Sequence, residues 1–183
     1  MSSKLNVMEI ITGHHKTLKN SDGTVAGTDI FVFYLLPLFL SFLSIICLFD
    51  IDKDLSSLLV NFGSIFTALL LSVLVLVYDQ ESKIEQLKGN DGLYILKKRL
   101  LMELYYNISY SILCSLLLVL LSFFHSIIDG LTNQINISNL QITVKYDVFI
   151  ATPLIVFITA NLFLNIVMIV KRMHSMLTTH HGI

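Results

Sequence analysis

Six histidines are the side chains of this chain best suited to metal or acid–base chemistry, and most lie near its two ends. His14-His15 and His180-His181 form adjacent pairs, and His174 lies close to the second pair. Imidazole pairs can bind a metal ion, but adjacent residues on a helix point in different directions. Because neither cysteines nor clustered carboxylates accompany them, the pattern favours solvated tail histidines and predicts no metal site and no cofactor.

Ionisable side chains are missing from the centres of the four long apolar runs, and His125, at the end of one run, comes nearest. Proton relays, ion-coupled transporters and voltage sensors place such groups there, and intramembrane proteases need them as well. The chain also has no glycine-rich phosphate loop, no Ser nucleophile elbow and no His-Glu zinc motif. We therefore predict no catalytic residues and a protein that is not an enzyme.

Polar residues inside the apolar runs recur at helical spacing, so each run carries a weak polar stripe. Small and hydroxyl side chains let membrane helices approach closely, and asparagine can hydrogen-bond across an interface. The stripes therefore predict the packing seams of a helical bundle, with a pore lining at an oligomer axis as the alternative. The residues concerned are Asn61, Asn107, Ser111, Ser115, Asn161 and Asn165.

The composition of the chain indicates that these stripes belong to a membrane protein. Of 183 residues, 55% are hydrophobic and 14% are charged, and the mean hydropathy is +0.77. Soluble domains are usually nearer 25% charged, so the surplus apolar surface is expected to face a lipid bilayer. Four charge-free runs are each long enough to cross ~30 Å of hydrocarbon as an α-helix. The sequence predicts an all-α membrane protein with spans at about 30–49, 57–78, 104–128 and 148–170.

Basic residues are distributed unevenly along the chain, and this asymmetry predicts the orientation. Ten of the twelve Lys and Arg residues lie in the segments 1–28, 79–103 and 171–183. Cytoplasmic flanks of membrane helices carry such an excess, so we predict cytoplasmic N- and C-termini. A bacterial inner membrane is expected from the resemblance in plan to small bacterial four-span proteins. The net charge of −1 argues against direct nucleic-acid binding.

Three segments outside the spans carry structural signals of their own. In 1–28, apolar residues at three- and four-residue steps predict a helix on the inner membrane surface, with a disordered tail as the alternative. Charged helical patterns on both sides of a Gly-Asn-Asp-Gly turn predict a cytoplasmic helical hairpin at 79–103. Alternating apolar and polar residues predict a short β-like outer loop at 129–147. The transmembrane domain is expected at 29–171, before a cytoplasmic tail at 172–183.

The overall plan resembles the membrane subunit family, KwaA, of the Kiwa anti-phage defence system. The shared features are four spans in a short chain, both termini inside, and the long basic hairpin at 83–99. The resemblance covers nearly the whole chain and is one of plan. It implies a homo-oligomer, such as a tetramer, that senses membrane disturbance and scaffolds a cytoplasmic effector.

These features together predict a non-enzymatic membrane sensor or scaffold that recruits or controls a soluble cytoplasmic protein partner. The alternative is a small oligomeric pore or channel lined by the Asn and Ser stripes. The basic hairpin and the tail histidines are the surfaces we predict to bind the partner. Their residues are Lys83, Lys88, Lys97, Lys98, Arg99, His180 and His181.

Overall fold

Six α-helices form nearly all of the computed structural model, which describes residues 6–19, 24, 26–86, 94–129, 132–137 and 140–178. A π-helical turn, Phe31–Leu35, joins the second and third helices into one continuous rod. A second π-helical turn, Asp147–Ala151, precedes the last helix. The helices are α1 (Met8–Thr17), α2 (Gly27–Ile30), α3 (Leu36–Ile46), α4 (Lys53–Gln86), α5 (Tyr94–Ile128) and α6 (Thr152–Thr178).

Four helical stretches are long and apolar enough to cross a membrane, which confirms the four apolar helices predicted from the sequence. They are Gly27–Ile46, Lys53–Glu85, Tyr94–Ile128 and Asp147–Met176. With 34 and 35 residues, α4 and α5 are each roughly 50 Å long, well beyond the ~30 Å hydrocarbon layer. The turn predicted inside the hairpin lies outside the described residues and stays a prediction.

Two short strands lie between α5 and α6. The strands β1 (Thr132–Ile137) and β2 (Leu140–Lys145) pair antiparallel, with Thr132 opposite Lys145. The Nζ of Lys145 lies 3.7 Å from a carboxylate oxygen of Asp50, which follows α3. Because both side chains are about half exposed, this ion pair contributes little stability and mainly connects the ladder to the α3–α4 link.

The central element of the bundle is α5, which packs against α1, α4 and α6. Hydroxyl groups set the antiparallel register between α4 and α5. The hydroxyl of Thr67 lies 2.8 Å from that of Ser115, and Ser56 donates to the carbonyl of Ser122 at 3.0 Å. The outer faces of the spans are lined with exposed Leu, Ile, Val and Phe, as a lipid-facing surface requires.

The first membrane-capable helix is irregular because of a proline. Pro37 has no N–H, so the carbonyl of Phe33, four residues earlier, loses its helical partner. The chain forms the π-helical turn just before this proline. The side-chain amide of Asn161 in α6 donates to the freed carbonyl of Phe33 at 3.4 Å. The polar group exposed by the proline is therefore satisfied by another span, as a membrane interior demands.

The contact of α4 with α5 depends on the absence of a side chain at Gly63. A Cβ added there would lie 2.7 Å from Cγ2 of Val119 and 3.1 Å from the carbonyl oxygen of Ser115. We expect Gly63→Leu to push the helices apart and to destabilise the protein by about 1–3 kcal/mol. The readout is a lower midpoint of thermal unfolding, followed by circular dichroism in detergent.

The matched control for this substitution is Ala68→Leu, on the same helix at an exposed position. That variant is expected to unfold at the wild-type midpoint. Equal midpoints for the two leucine variants would contradict the role given to Gly63.

Candidate functional site: a polar junction beneath the N-terminal helix

The N-terminal helix α1 docks on α5 through a small and polar face. A Cβ at Gly13 would overlap the ring of Tyr106, so a larger residue would have to displace that ring. His14 and Thr17 are 3% and 8% exposed, whereas Met8 is 61% exposed. The prediction of a helix in the N-terminal segment is therefore correct, and Gly13, His14 and Thr17 lie on its buried side. The expectation that His14 is a solvated tail residue was wrong.

His14 is buried because α5 offers it a hydrogen-bond acceptor and a flat ring. The Nδ1 of His14 lies 3.0 Å from Oδ1 of Asn107, and the hydroxyl of Thr17 donates to the same oxygen at 2.8 Å. The His14 ring also stacks on Tyr110, with centroids 3.9 Å apart and the planes 3° from parallel. Asn107, which is 0% exposed, thus receives hydrogen bonds from outside its own helix.

A second set of polar groups continues from Tyr110 into α6. The Tyr110 hydroxyl donates to Oδ1 of Asn161 at 3.4 Å. The side-chain amide of Asn165 donates to the same Oδ1 at 3.0 Å and to the Asn161 carbonyl at 2.8 Å. Asn161 in turn reaches Phe33 of the first membrane-capable helix. We call this network the polar junction; its side chains are His14, Thr17, Asn107, Tyr110, Asn161 and Asn165.

Ion pairs border the polar junction where α1 meets the end of α6. The guanidinium of Arg172 donates to the Thr17 carbonyl at 2.6 Å and lies 3.3 Å from a Glu103 carboxylate oxygen. The other carboxylate oxygen of Glu103 accepts from Arg99 at 3.0 Å. Because Arg172 caps the free carbonyl at the end of α1 and pairs with Glu103, it joins three helices at one point.

The surroundings of His14 favour its neutral form. Burial lowers the pKa of His14 from 6.5 to about 4, despite the hydrogen bond to Asn107, which acts in the opposite direction. The nearby His15 and Arg172 disfavour a positive charge as well. In the neutral ring, Nδ1–H is the donor to Oδ1 of Asn107. His15, on the exposed side of α1, hydrogen-bonds the Tyr34 hydroxyl instead.

The residues predicted to pack or to line a pore fall into two groups. Asn107, Ser111, Ser115, Asn161 and Asn165 are between 0% and 6% exposed and lie in helix contacts within one chain. Ser111 and Ser115 donate to main-chain carbonyls one turn earlier on α5. The sixth residue, Asn61, is exposed on the outer face of α4.

Seven residues were predicted to bind a partner. Those that the structure describes lie at the end of the bundle that carries α1. Lys83 is exposed, and Lys97 is half-buried. Lys98 donates to a carboxylate oxygen of Glu85 at 3.0 Å, and Arg99 joins the ion pairs described above. The remaining three lie outside the described residues: Lys88, His180 and His181.

The chemistry available to this site is binding and coupling of helices. In the part of the chain that is described, no three His, Cys, Asp or Glu side chains come together to hold a metal ion. His14 has Asn107, Thr17 and Tyr110 around it, which is a docking contact and not a nucleophile–base pair. The junction instead connects α1 to three membrane-capable helices. A displacement of α1 is therefore expected to affect the packing of all three.

Sequence patterns alone missed several members of the junction. His14 was expected to be a solvated tail residue, and no site role was predicted for Thr17 or Tyr110. None was predicted either for Glu103 and Arg172, which border the junction. The one available signal was the spacing of Gly13, His14 and Thr17, which forms a small, polar stripe on one side of a short helix. Such a stripe suits close docking on another helix better than binding to lipid.

No protein-family model, no curated protein and no solved structure matches this chain. The class of this protein is therefore inferred from its fold alone. Four membrane-capable helices joined by a buried polar junction indicate an integral membrane protein of the helical type.

Docking of α1 is expected to weaken in acid. The pKa of His14 is about 4 when it is buried and about 6.5 when it is free, so the undocked state binds more protons between these values. The contribution of His14 to the free energy of docking is fully present above pH 6.5, and roughly 3 kcal/mol of it is lost as the pH falls towards 4. The measurement is hydrogen–deuterium exchange of the α1 amides, corrected for intrinsic rates.

The variants that test this assignment are His14→Gln and, as a control, His174→Gln on α6. With glutamine at position 14, exchange of α1 should no longer depend on pH in this window. The His174 variant should behave as the wild type. An unchanged pH dependence in His14→Gln would rule out His14 as the titrating group.

Proposed function

We propose that this chain is a non-enzymatic sensor or scaffold subunit of a bacterial inner membrane, with both termini in the cytoplasm. In this proposal, copies of the chain assemble with one another and recruit or control a soluble cytoplasmic protein. The resemblance in plan to the Kiwa membrane subunits makes anti-phage defence the setting that we propose for this activity.

The observation that carries the proposal is the docking of α1 at the end of the bundle where basic side chains gather. Arg99 and Arg172 share the carboxylate of Glu103, so the start of α5, the end of α6 and α1 form one polar surface. Lys83 and Lys98 extend this surface along α4 and α5. A continuous surface of this kind suits contact with a folded protein, because its elements are held in fixed relation.

The use made of polar groups inside the spans favours a scaffold over a pore. A conducting pore needs a lining that water can wet. Asn107 and Asn161 are instead buried in contacts within one chain, where Asn107 accepts from Thr17 of α1 and Asn161 donates to Phe33. Asn165 is buried as well and donates to Asn161 within α6. Hydrogen bonds between helices stabilise a bundle in lipid.

The test of the proposal removes charge from the polar surface. The double variant Lys98→Gln/Arg99→Gln is expected to lose at least tenfold of the soluble protein that co-purifies with the wild-type chain from its native host. Charged rim residues set such recognition through complementary potentials. The measurement is quantitative mass spectrometry of the tagged protein purified in a gentle detergent.

The matched control is Lys53→Gln/Lys145→Gln, which removes two cations at the opposite end. Each of these lysines forms a surface ion pair with an aspartate, at 3.9 Å and 3.7 Å, so the chemical change is equivalent. The control should retain the soluble protein. Equal retention by both double variants, or equal loss from both, would refute the assignment of this surface.

Asn61 supports the alternative function, an oligomeric pore. It is exposed on α4, and Ser64 and Ser72 lie exposed on the same side of that helix. An amide facing lipid is costly, so a second copy of the chain or a water-filled axis is expected to cover it. The pore alternative predicts conductance in planar bilayers that falls in Asn61→Leu. The scaffold proposal predicts no conductance from either protein.

A further inference from the structure

A groove opens where α4, α5 and α6 meet, at the end of the bundle that carries α1. Its volume is about 510 Å³, and its walls are mainly aliphatic. It is separate from the polar junction, which lies on the α1 side of α5. The residues that line it include Val73, Leu76, Val77, Lys83, Lys97 and Leu104.

Polarity changes along the length of this groove. Val73 and Val77 lie in the apolar part of α4, whereas Gln80 and Lys83 lie beyond Tyr78, where the charged part of the helix begins. From Val73 to Lys83 the helix rises roughly 15 Å. The groove therefore starts at the depth of hydrocarbon and ends at the depth of lipid headgroups.

The charge at the polar end of the groove is positive. Lys83 and Lys97 are the charged residues of the described chain that line it, and no carboxylate lines it alongside them. The acidic residues nearby on α4, Asp79, Glu81 and Glu85, do not line the groove. Glu85 accepts a hydrogen bond from Lys98, and Glu81 lines a different cavity between α4 and α5. The groove thus joins an apolar channel to a cationic mouth.

We propose that this groove binds an anionic phospholipid. The phosphate lies at the mouth with Lys83 and Lys97, and an acyl chain lies along Val73, Val77 and Leu104. Basic pockets between membrane helices recognise anionic headgroups in this manner. An acyl chain matches the aliphatic walls of the deep part of the groove, and a phosphate matches the two lysines at its mouth. The inference rests on the membrane assignment, and it shares Lys83 with the surface proposed for the soluble partner.

The binding test compares two lipids that share acyl chains and differ in charge. Purified full-length protein is titrated with dioleoylphosphatidylglycerol or dioleoylphosphatidylcholine, and bound lipid is counted by native mass spectrometry. The wild type is expected to bind the glycerol lipid at least tenfold more tightly. Lys83→Gln/Lys97→Gln should reduce this preference about tenfold or more, as two lysines at an anionic surface predict. Lys19→Gln/Lys171→Gln, the same charge change outside the groove, should leave it intact.

A second pair of variants tests whether the groove itself is the binding place. Leu76 lines the groove and is 62% exposed, so Leu76→Trp fills the space without disturbing the core. Leu69→Trp, on the same helix with 55% exposure and outside the groove, is the control. Loss of the bound glycerol lipid in Leu76→Trp alone supports the proposal.

Four outcomes would overturn it. Equal binding of the two lipids by the wild type would indicate an unselective lipid annulus. A preference that survives in Lys83→Gln/Lys97→Gln would place the charge recognition elsewhere. Retention of the lipid in Leu76→Trp, or a dimer that carries no lipid, would mean that the groove is not the binding place.

Discussion

The α1 end of this protein is organised by one physical constraint, the need to satisfy the side-chain oxygen of Asn107, which is fully buried inside a membrane-capable helix. No water is available at such a position, so the hydrogen bonds have to come from the protein. Thr17 and His14 of α1 supply them, and this fixes α1 on α5. The stacking of His14 on Tyr110 then extends the network to Asn161, so the N-terminal helix and three spans share one set of contacts.

The same requirement explains how the bundle tolerates a proline in its first span. Pro37 leaves the carbonyl of Phe33 without its helical partner, and Asn161 of α6 provides the missing donor. Asn107 and Asn161 therefore form hydrogen bonds between helices of one chain, whereas Asn61 is exposed on α4. Two surfaces of the chain are therefore available for binding other molecules. They are the polar surface around α1 and the lipid-facing side of α4.

The four membrane-capable helices could be predicted from the sequence because their length and lack of charge are local properties set by the thickness of a bilayer. The irregular turn near Pro37 was predictable for the same reason, since the missing N–H belongs to that residue alone. The burial of His14 was not predictable in this way. It depends on Asn107, 93 residues further along the chain, and the pattern of α1 by itself pointed to a solvated histidine and an apolar face. Whether the polar stripes pack between helices or line a pore could not be predicted from the sequence either, because it depends on which helices are in contact.

The measurement that tests the functional account most directly is the mass of the intact complex, purified from the native host in a gentle detergent. The account predicts a whole-number multiple of the 20.7 kDa chain together with a soluble protein in fixed ratio. That soluble protein should dissociate when α1 is removed, because α1 forms part of the surface that it contacts. A homo-oligomer of the full chain that carries no soluble protein would contradict the account and favour a pore.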